Sequence, residues 1–92
     1  MFDDAIRAAL DFARKDGHTL VLVTADHETG GLAVHNADAD HPDFTAGWES
    51  AGHSANMVPV YAYGPGSEDF AGTYDNTEIA TICSGFWGRK LN

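Results

Sequence analysis

Apolar residues recur at helical spacing near the start of the chain. Between positions 3 and 16, Ile6, Ala9, Leu10 and Ala13 share one face, which predicts an amphipathic helix. Asp3 and Asp4 suit the positive end of its dipole and Arg14 and Lys15 the negative end, while Gly17 offers a left-handed stop. Positions 19–24 then read TLVLVT, a continuous apolar and β-branched run that predicts a strand covered on both faces. Helix, short turn and buried strand in succession predict an α/β layer architecture.

Beyond that run the pattern changes. Ala25, Asp26, His27, Glu28, Thr29, Gly30 and Gly31 form a polar loop ending in two glycines, which permit a sharp turn and close backbone approach. A short strand is expected over 32–34. Positions 35–52 are polar, punctuated by Pro42 and Gly47, and without periodicity, so they read as an irregular excursion. The run MVPVYAY at 57–63 predicts a second strand, with Pro59 favouring an edge or a bulge because it has no amide hydrogen. Gly64, Pro65 and Gly66 end it. Asp75 or Asn76 can cap a last helix containing Glu78, Ile79, Ile82 and Phe86, weakened at its end by Gly85 and Gly88. No repeat or linker divides the chain, so residues 1–92 read as a single partial domain.

Charge narrows the function classes. Fourteen acidic residues against five basic ones give a net charge of -9 over 92 residues, which repels nucleic-acid backbones and anionic membrane faces. No apolar run reaches the roughly 18 residues needed to span a bilayer. Nucleic-acid binding and a membrane span are therefore not expected, and the start of the chain has no secretory signal pattern. A solvated acidic surface explains most of the charge. Cys83 is the only cysteine and follows Ile82, so it reads as a buried structural thiol.

Asp26 and His27 lie just past the carboxyl end of the apolar run, where α/β sheets place ligand-binding groups. A carboxylate and a neutral imidazole are both good zinc donors, although the dipeptide alone also fits a solvent-facing Asp and a turn His. His53, between Gly52 and Ser54, is the next candidate. His18, His35 and His41 have no zinc-finger or HExxH spacing and are assigned no site. Asp38, Asp40 and Asp43 alternate but lack the glycine and terminal glutamate of a calcium loop. Ser50, Ser54, Ser67 and Ser84 all lack a nucleophile-elbow setting, and no lysine follows the Gly64–Pro65–Gly66 turn to make it a phosphate cradle.

Longer strings carry a family resemblance. TLVLVTADHETGG at 19–31 closely resembles the strand and metal-binding loop of bacterial alkaline phosphatases, and HSANMVPVYAYGPG at 53–66 is similar to a second motif of that family. With the first helix and FAGTYDNTEI at 70–79, the resemblance runs along almost the whole chain in order. It implies part of an alkaline-phosphatase-like sheet layer with flanking helices. Asp26 and His27 match the pair that binds the zinc facing a serine nucleophile, and His53 matches a ligand of the other zinc. Ser54 stands where many relatives have threonine.

The resemblance also implies Zn2+ at two sites, each incomplete here, and Mg2+ whose ligands lie outside this chain. The implied reaction is hydrolysis of phosphate monoesters through a phosphoserine. The implied setting is a periplasmic or secreted homodimer. The Asp-Ser-Ala nucleophile motif, the phosphate-gripping arginine and the remaining zinc ligands are absent from the 92 residues, and Arg7, Arg14 and Arg89 do not match that arginine. The expected role is a C-terminal metal-ligand segment that is inert without a missing N-terminal part. A non-catalytic α/β metal-binding or interaction module is the alternative. Phosphomutases of the same superfamily rank lower, because Glu28 and Thr29 follow His27 where the mutases continue with glycine and asparagine.

Overall fold

The structure, a computed structural model, describes residues 1–40 and 42–89. They form two compact units, one made of Met1–Val23 with the segment from Val60 onward, the other of Thr24–Pro59.

In the first unit, helix α1 spans Phe2–Asp16 and ends at Gly17 in the left-handed conformation, φ 72°. Asp16 helps to shape the exit. Its carboxylate accepts hydrogen bonds from the Thr19 hydroxyl at 2.6 Å and the His18 amide at 3.1 Å. Those two bonds, the Thr19 one foremost, hold the carboxyl below its ordinary range. Along α1 the pairs Arg7–Asp3 and Arg14–Asp11 are exposed at 3.3 and 3.4 Å, so each adds little to stability. The predicted apolar stripe is only partly covered: Ala13 is buried, Ile6 and Leu10 are half-buried, and Ala9 is exposed.

Strand β1, Val21–Val23, packs beside α1 and pairs antiparallel with β6, Tyr61–Tyr63, in the register Val21–Tyr63, Leu22–Ala62 and Val23–Tyr61. The expected strand over 19–24 is thus half as long. It is also half-buried throughout, not covered on both faces, because a two-stranded ladder with one adjacent helix has too little material to cover it. Arg14 lies over the Tyr63 ring with its guanidinium carbon 5.8 Å from the centroid, within cation–π range. Gly64, φ 107°, lies against the Thr19 carbonyl so closely that no side chain fits there.

A 3-10 turn at Ser67–Phe70 and helix α2, Thr77–Gly85, complete this unit. Phe86 caps α2 and does not extend it. Cys83 is half-buried and free, not fully buried, since few described side chains cover α2. Asn76 occupies the N-cap position without a side-chain hydrogen bond. The capture is made by Asp75, whose Oδ1 accepts from the Thr77 amide at 3.0 Å and its hydroxyl at 2.8 Å.

Those two bonds, the amide first, hold the Asp75 carboxyl below the ordinary carboxylate range. A lowered folded-state value means that the contribution is present above that range and lost as pH falls through it, below about pH 4. The protection of the Thr77 amide, its exchange relative to the intrinsic rate at each pH, is therefore expected to fall on acidification, and Asp75→Ala to lower it likewise at neutral pH. Unchanged Thr77 exchange in that variant would show that the carboxylate does not anchor the helix.

The second unit is built from four short strands. β3, Leu32–His35, pairs antiparallel with β4, Thr45–Trp48, and β2, Glu28–Thr29, with β5, His53–Ser54. The ordered β4 lies inside the stretch expected to be irregular. Its sequence, TAGW, lacks apolar alternation, and the pairing with β3 supplies the order. Leu32 opposite Trp48 and Val34 opposite Ala46 share one face of this hairpin, yet Leu32, Val34 and Trp48 are all exposed, as is Phe44 just before β4. The ends of the unit are tied by the Thr24 hydroxyl, which donates to the Pro59 carbonyl at 3.0 Å.

Candidate metal centre

The site is organised by the shortest pair of strands. In β2–β5, Thr29 stands opposite His53 and Glu28 opposite Ser54. His27 precedes β2 by one residue, so side-chain alternation puts it on the same face as Thr29 and, across the pair, His53. The structure brings the two imidazoles into contact: their centroids are 3.5 Å apart and their planes 25° from parallel.

His27 Nδ1 lies 3.1 Å from the Glu28 carbonyl oxygen. A carbonyl only accepts, so Nδ1 carries the proton and Nε2 presents its lone pair. The Thr29 hydroxyl oxygen is 3.3 Å from the same Nδ1. This is the arrangement that fixes the tautomer and orientation of a metal-binding histidine. Asp26 Oδ2 is 3.5 Å from His27 Nε2. Two zinc ligands at about 2.0–2.1 Å in tetrahedral geometry stand roughly 3.3 Å apart, so this carboxylate and imidazole are spaced to share one ion. The Asp26 side chain is 88% exposed and that of His27 35%, leaving the approach open. Among the described residues no three His, Cys, Asp or Glu side chains converge as one metal site.

The glycines that follow close the loop. Gly30 is buried with φ 85°, donates its amide to the Gly52 carbonyl at 2.9 Å, and accepts from the amides of Glu49 and Ser50. A methyl at Gly30 would meet the Trp48 ring at 2.5 Å. Glu28, left without a role by the sequence, sits under this turn. Its Oε1 accepts from the Gly31 amide at 2.8 Å and its Oε2 from the Ser54 hydroxyl. The Ser54 bond foremost, then the amides of Gly31 and Leu32, hold the Glu28 carboxyl below its ordinary range. Only the proximity of Ser54 to His53 hinted at this contact.

Two of the other histidines have partners of their own. His18 Nδ1 meets the Asp16 carbonyl oxygen at 2.8 Å at the end of α1, and His35 stands opposite Thr45 in the β3–β4 hairpin. His41 lies outside the described residues. In the acidic loop the Asp40 amide donates to Asp38 Oδ1 at 2.9 Å, a local turn.

Comparison with known proteins places these features in context. The family model described as alkaline phosphatase matches residues 1–43 and 34–87. Alkaline phosphatase 3 of Bacillus subtilis is 33% identical, with the match covering 86% of this chain and 32% of that protein. That alignment runs over 150 residues, more than the 92 present here, so the relative carries an inserted segment that this chain lacks. The two family-model segments meet across residues 34–43, in the acidic loop.

Alkaline phosphatase of Escherichia coli is 31% identical over 84% of this chain and 20% of its own length. The solved alkaline phosphatase of the Antarctic bacterium TAB5 superposes with a TM-score of 0.85 at 43% identity, covering 98% of this chain and 28% of that one. A variant of that enzyme is described with Mg bound in its M3 site. The chain thus spans about a third or less of the length of the relatives it matches. With the family model running along nearly all of it and the α/β fold shared with a solved member, the chain belongs to the alkaline phosphatase family.

Proposed function

We propose that this chain is the C-terminal metal-ligand segment of a zinc-dependent alkaline phosphatase, a single partial domain of an enzyme that hydrolyses phosphate monoesters through a phosphoserine. The observation that carries this reading is the stacked His27–His53 pair with Asp26 Oδ2 3.5 Å from His27 Nε2. Asp26 and His27 hold one zinc, and His53 belongs to its neighbour. Bound there, the two ions supply Lewis acidity, lowering the pKa of a hydroxyl or water on one side and steadying the leaving oxygen on the other.

The work of this chain is positional. The Glu28 carbonyl and the Thr29 hydroxyl orient the His27 ring, the stack on His53 keeps the second imidazole beside it, and the exposed Asp26 carboxylate leaves an open approach for an anionic ester. The serine nucleophile, the phosphate-gripping arginine, the remaining zinc ligands and the magnesium ligands come from the N-terminal part. Exposed Leu32, Val34, Phe44 and Trp48 support such a partner, because an uncovered apolar strip is a surface for association. No described helix is long and apolar enough to cross a membrane. By family, the assembled enzyme is a periplasmic or secreted homodimer.

A chimera tests the reading. The 92-residue chain replaces the matching segment of the TAB5 enzyme, and hydrolysis of a chromogenic phosphate monoester is followed. The chain alone is expected to be inert, and the chimera to be active, silenced by a chelator and restored by zinc. A folded chimera with no zinc-dependent activity would overturn the assignment and favour a non-catalytic interaction module.

A further inference from the structure

The strand pair that brings His27 to His53 is only two residues long on each side, and a ladder that short has little independent stability. Something besides its backbone bonds must hold the register. By alternation, His27, Thr29 and His53 share one face, while Glu28 and Ser54, directly opposite each other, share the other. The Glu28 carboxylate therefore lies behind the imidazoles and is poorly placed to join them as a ligand.

From that hidden face it reaches two elements at once. One oxygen takes the Ser54 hydroxyl, on the strand of His53, and the other takes the Gly31 amide, in the buried glycine turn that follows the strand of Glu28. Hydrogen bonds to an ionised acceptor are roughly twice as strong as neutral ones. One half-buried side chain thus joins the residue after His27, the residue after His53 and the turn between β2 and β3.

We propose that Glu28 and Ser54 form a clamp behind the metal centre, positioning His27 against His53 through the β2–β5 register. This rests on the metal-site reading for its purpose but not for its geometry. Glu28 touches no reacting atom. Its loss lets the two imidazoles move apart, and loss of such an outer partner lowers metal affinity by about 10–100-fold. Because the clamp is one contact with two ends, the Glu28→Ala/Ser54→Ala double variant is expected to be no worse than the more damaging single.

The test uses the full 92-residue chain, the variants Glu28→Ala, Ser54→Ala and Ser54→Thr, and two readouts. Nuclear Overhauser contacts between the His27 and His53 rings in the metal-free chain report the positioning, and zinc titration reports affinity. Cross-strand contacts between Leu22 and Ala62 serve as the control for folding. Glu28→Ala and Ser54→Ala are expected to lose the ring-to-ring contact and at least about tenfold in zinc affinity while keeping the Leu22–Ala62 contact. Ser54→Thr, which retains the hydroxyl, is expected to keep both. The proposal is overturned if the ring-to-ring contact survives in Glu28→Ala, if Ser54→Thr fails like Ser54→Ala, or if the Leu22–Ala62 contacts vanish with it, which would make Glu28 a general folding residue. Should the parent chain take up no zinc on its own, where both sites lack the ligands of the N-terminal part, the ring contact alone decides the clamp and the zinc dependence of the chimera decides the metal reading.

Discussion

His27→Ala and His53→Ala are each expected to remove one zinc ion per chain from the chimeric phosphatase, and to remove different ones. Asp26 Oδ2 and His27 Nε2 are 3.5 Å apart, near the edge of a tetrahedron around a single ion. Asp26→Ala should therefore lose the same ion as His27→Ala, and combining the two should lose no more. His53 stacks on His27 with centroids 3.5 Å apart, and rings lying face to face direct their in-plane lone pairs to separate points. Its removal should empty the neighbouring position, and His27→Ala with His53→Ala should empty both. Each loss forfeits several kcal/mol of charge stabilisation, which at about 1.36 kcal/mol per tenfold lowers kcat/KM on the order of a thousandfold or more. Metal analysis of the purified variants beside their kinetics checks both numbers. If His27→Ala and His53→Ala removed the same ion, the assignment to two neighbouring cations would fail, although a one-metal site would survive.

How much of this was legible in advance depends on how far apart in sequence the partners are. Helix α1 was readable because Ile6, Leu10 and Ala13 repeat every three to four residues and Gly17 must take a positive φ. The last helix was readable for similar local reasons, although the residue that captures its first turn is Asp75 and not Asn76. Strand β1 was legible in place but not in burial, since an apolar run does not reveal how much material will cover it. Strand β4 was not legible, because Thr45, Ala46, Gly47 and Trp48 owe their order to partners from Leu32 to His35.

The same division runs through the site. Asp26 and His27 are adjacent, so their candidacy needed only the strand before them and the glycines after. That His53 lies against His27, with 25 positions between them, depends on the register of β2 and β5, which no local pattern encodes. The family strings supplied what periodicity lacked. Neither route found the Glu28–Ser54 contact, because a glutamate beside a histidine reads equally well as a solvated loop carboxylate.

The second large effect concerns stability and falls on Phe70. Only Ala13 and Phe70 are buried hydrophobic residues among those described, at 2% and 3% exposure, and both belong to the unit that contains α1, β1, β6 and α2. The Phe70 ring lies 6.3 Å from that of Phe86, tilted by 31°, and its carbonyl accepts the Tyr74 hydroxyl at 3.1 Å. Phe86 in turn lies where any side chain at Gly66 would have to be, so 3-10 turn and helix end meet at this one ring. Truncating a buried phenylalanine to alanine costs about 3–5 kcal/mol, while a core in so small a scaffold supplies no more than roughly 3–5 kcal/mol in all. Phe70→Ala is therefore expected to abolish the cooperative unfolding of this unit, with amide protection lost together in β1, β6 and α2. Phe86→Ala, at a site 48% exposed, should cost about 1 kcal/mol and leave the transition intact. A denaturation midpoint for Phe70→Ala close to that of the parent would mean that the unit is held by its backbone ladder and surface contacts, and that the burial of this ring contributes little.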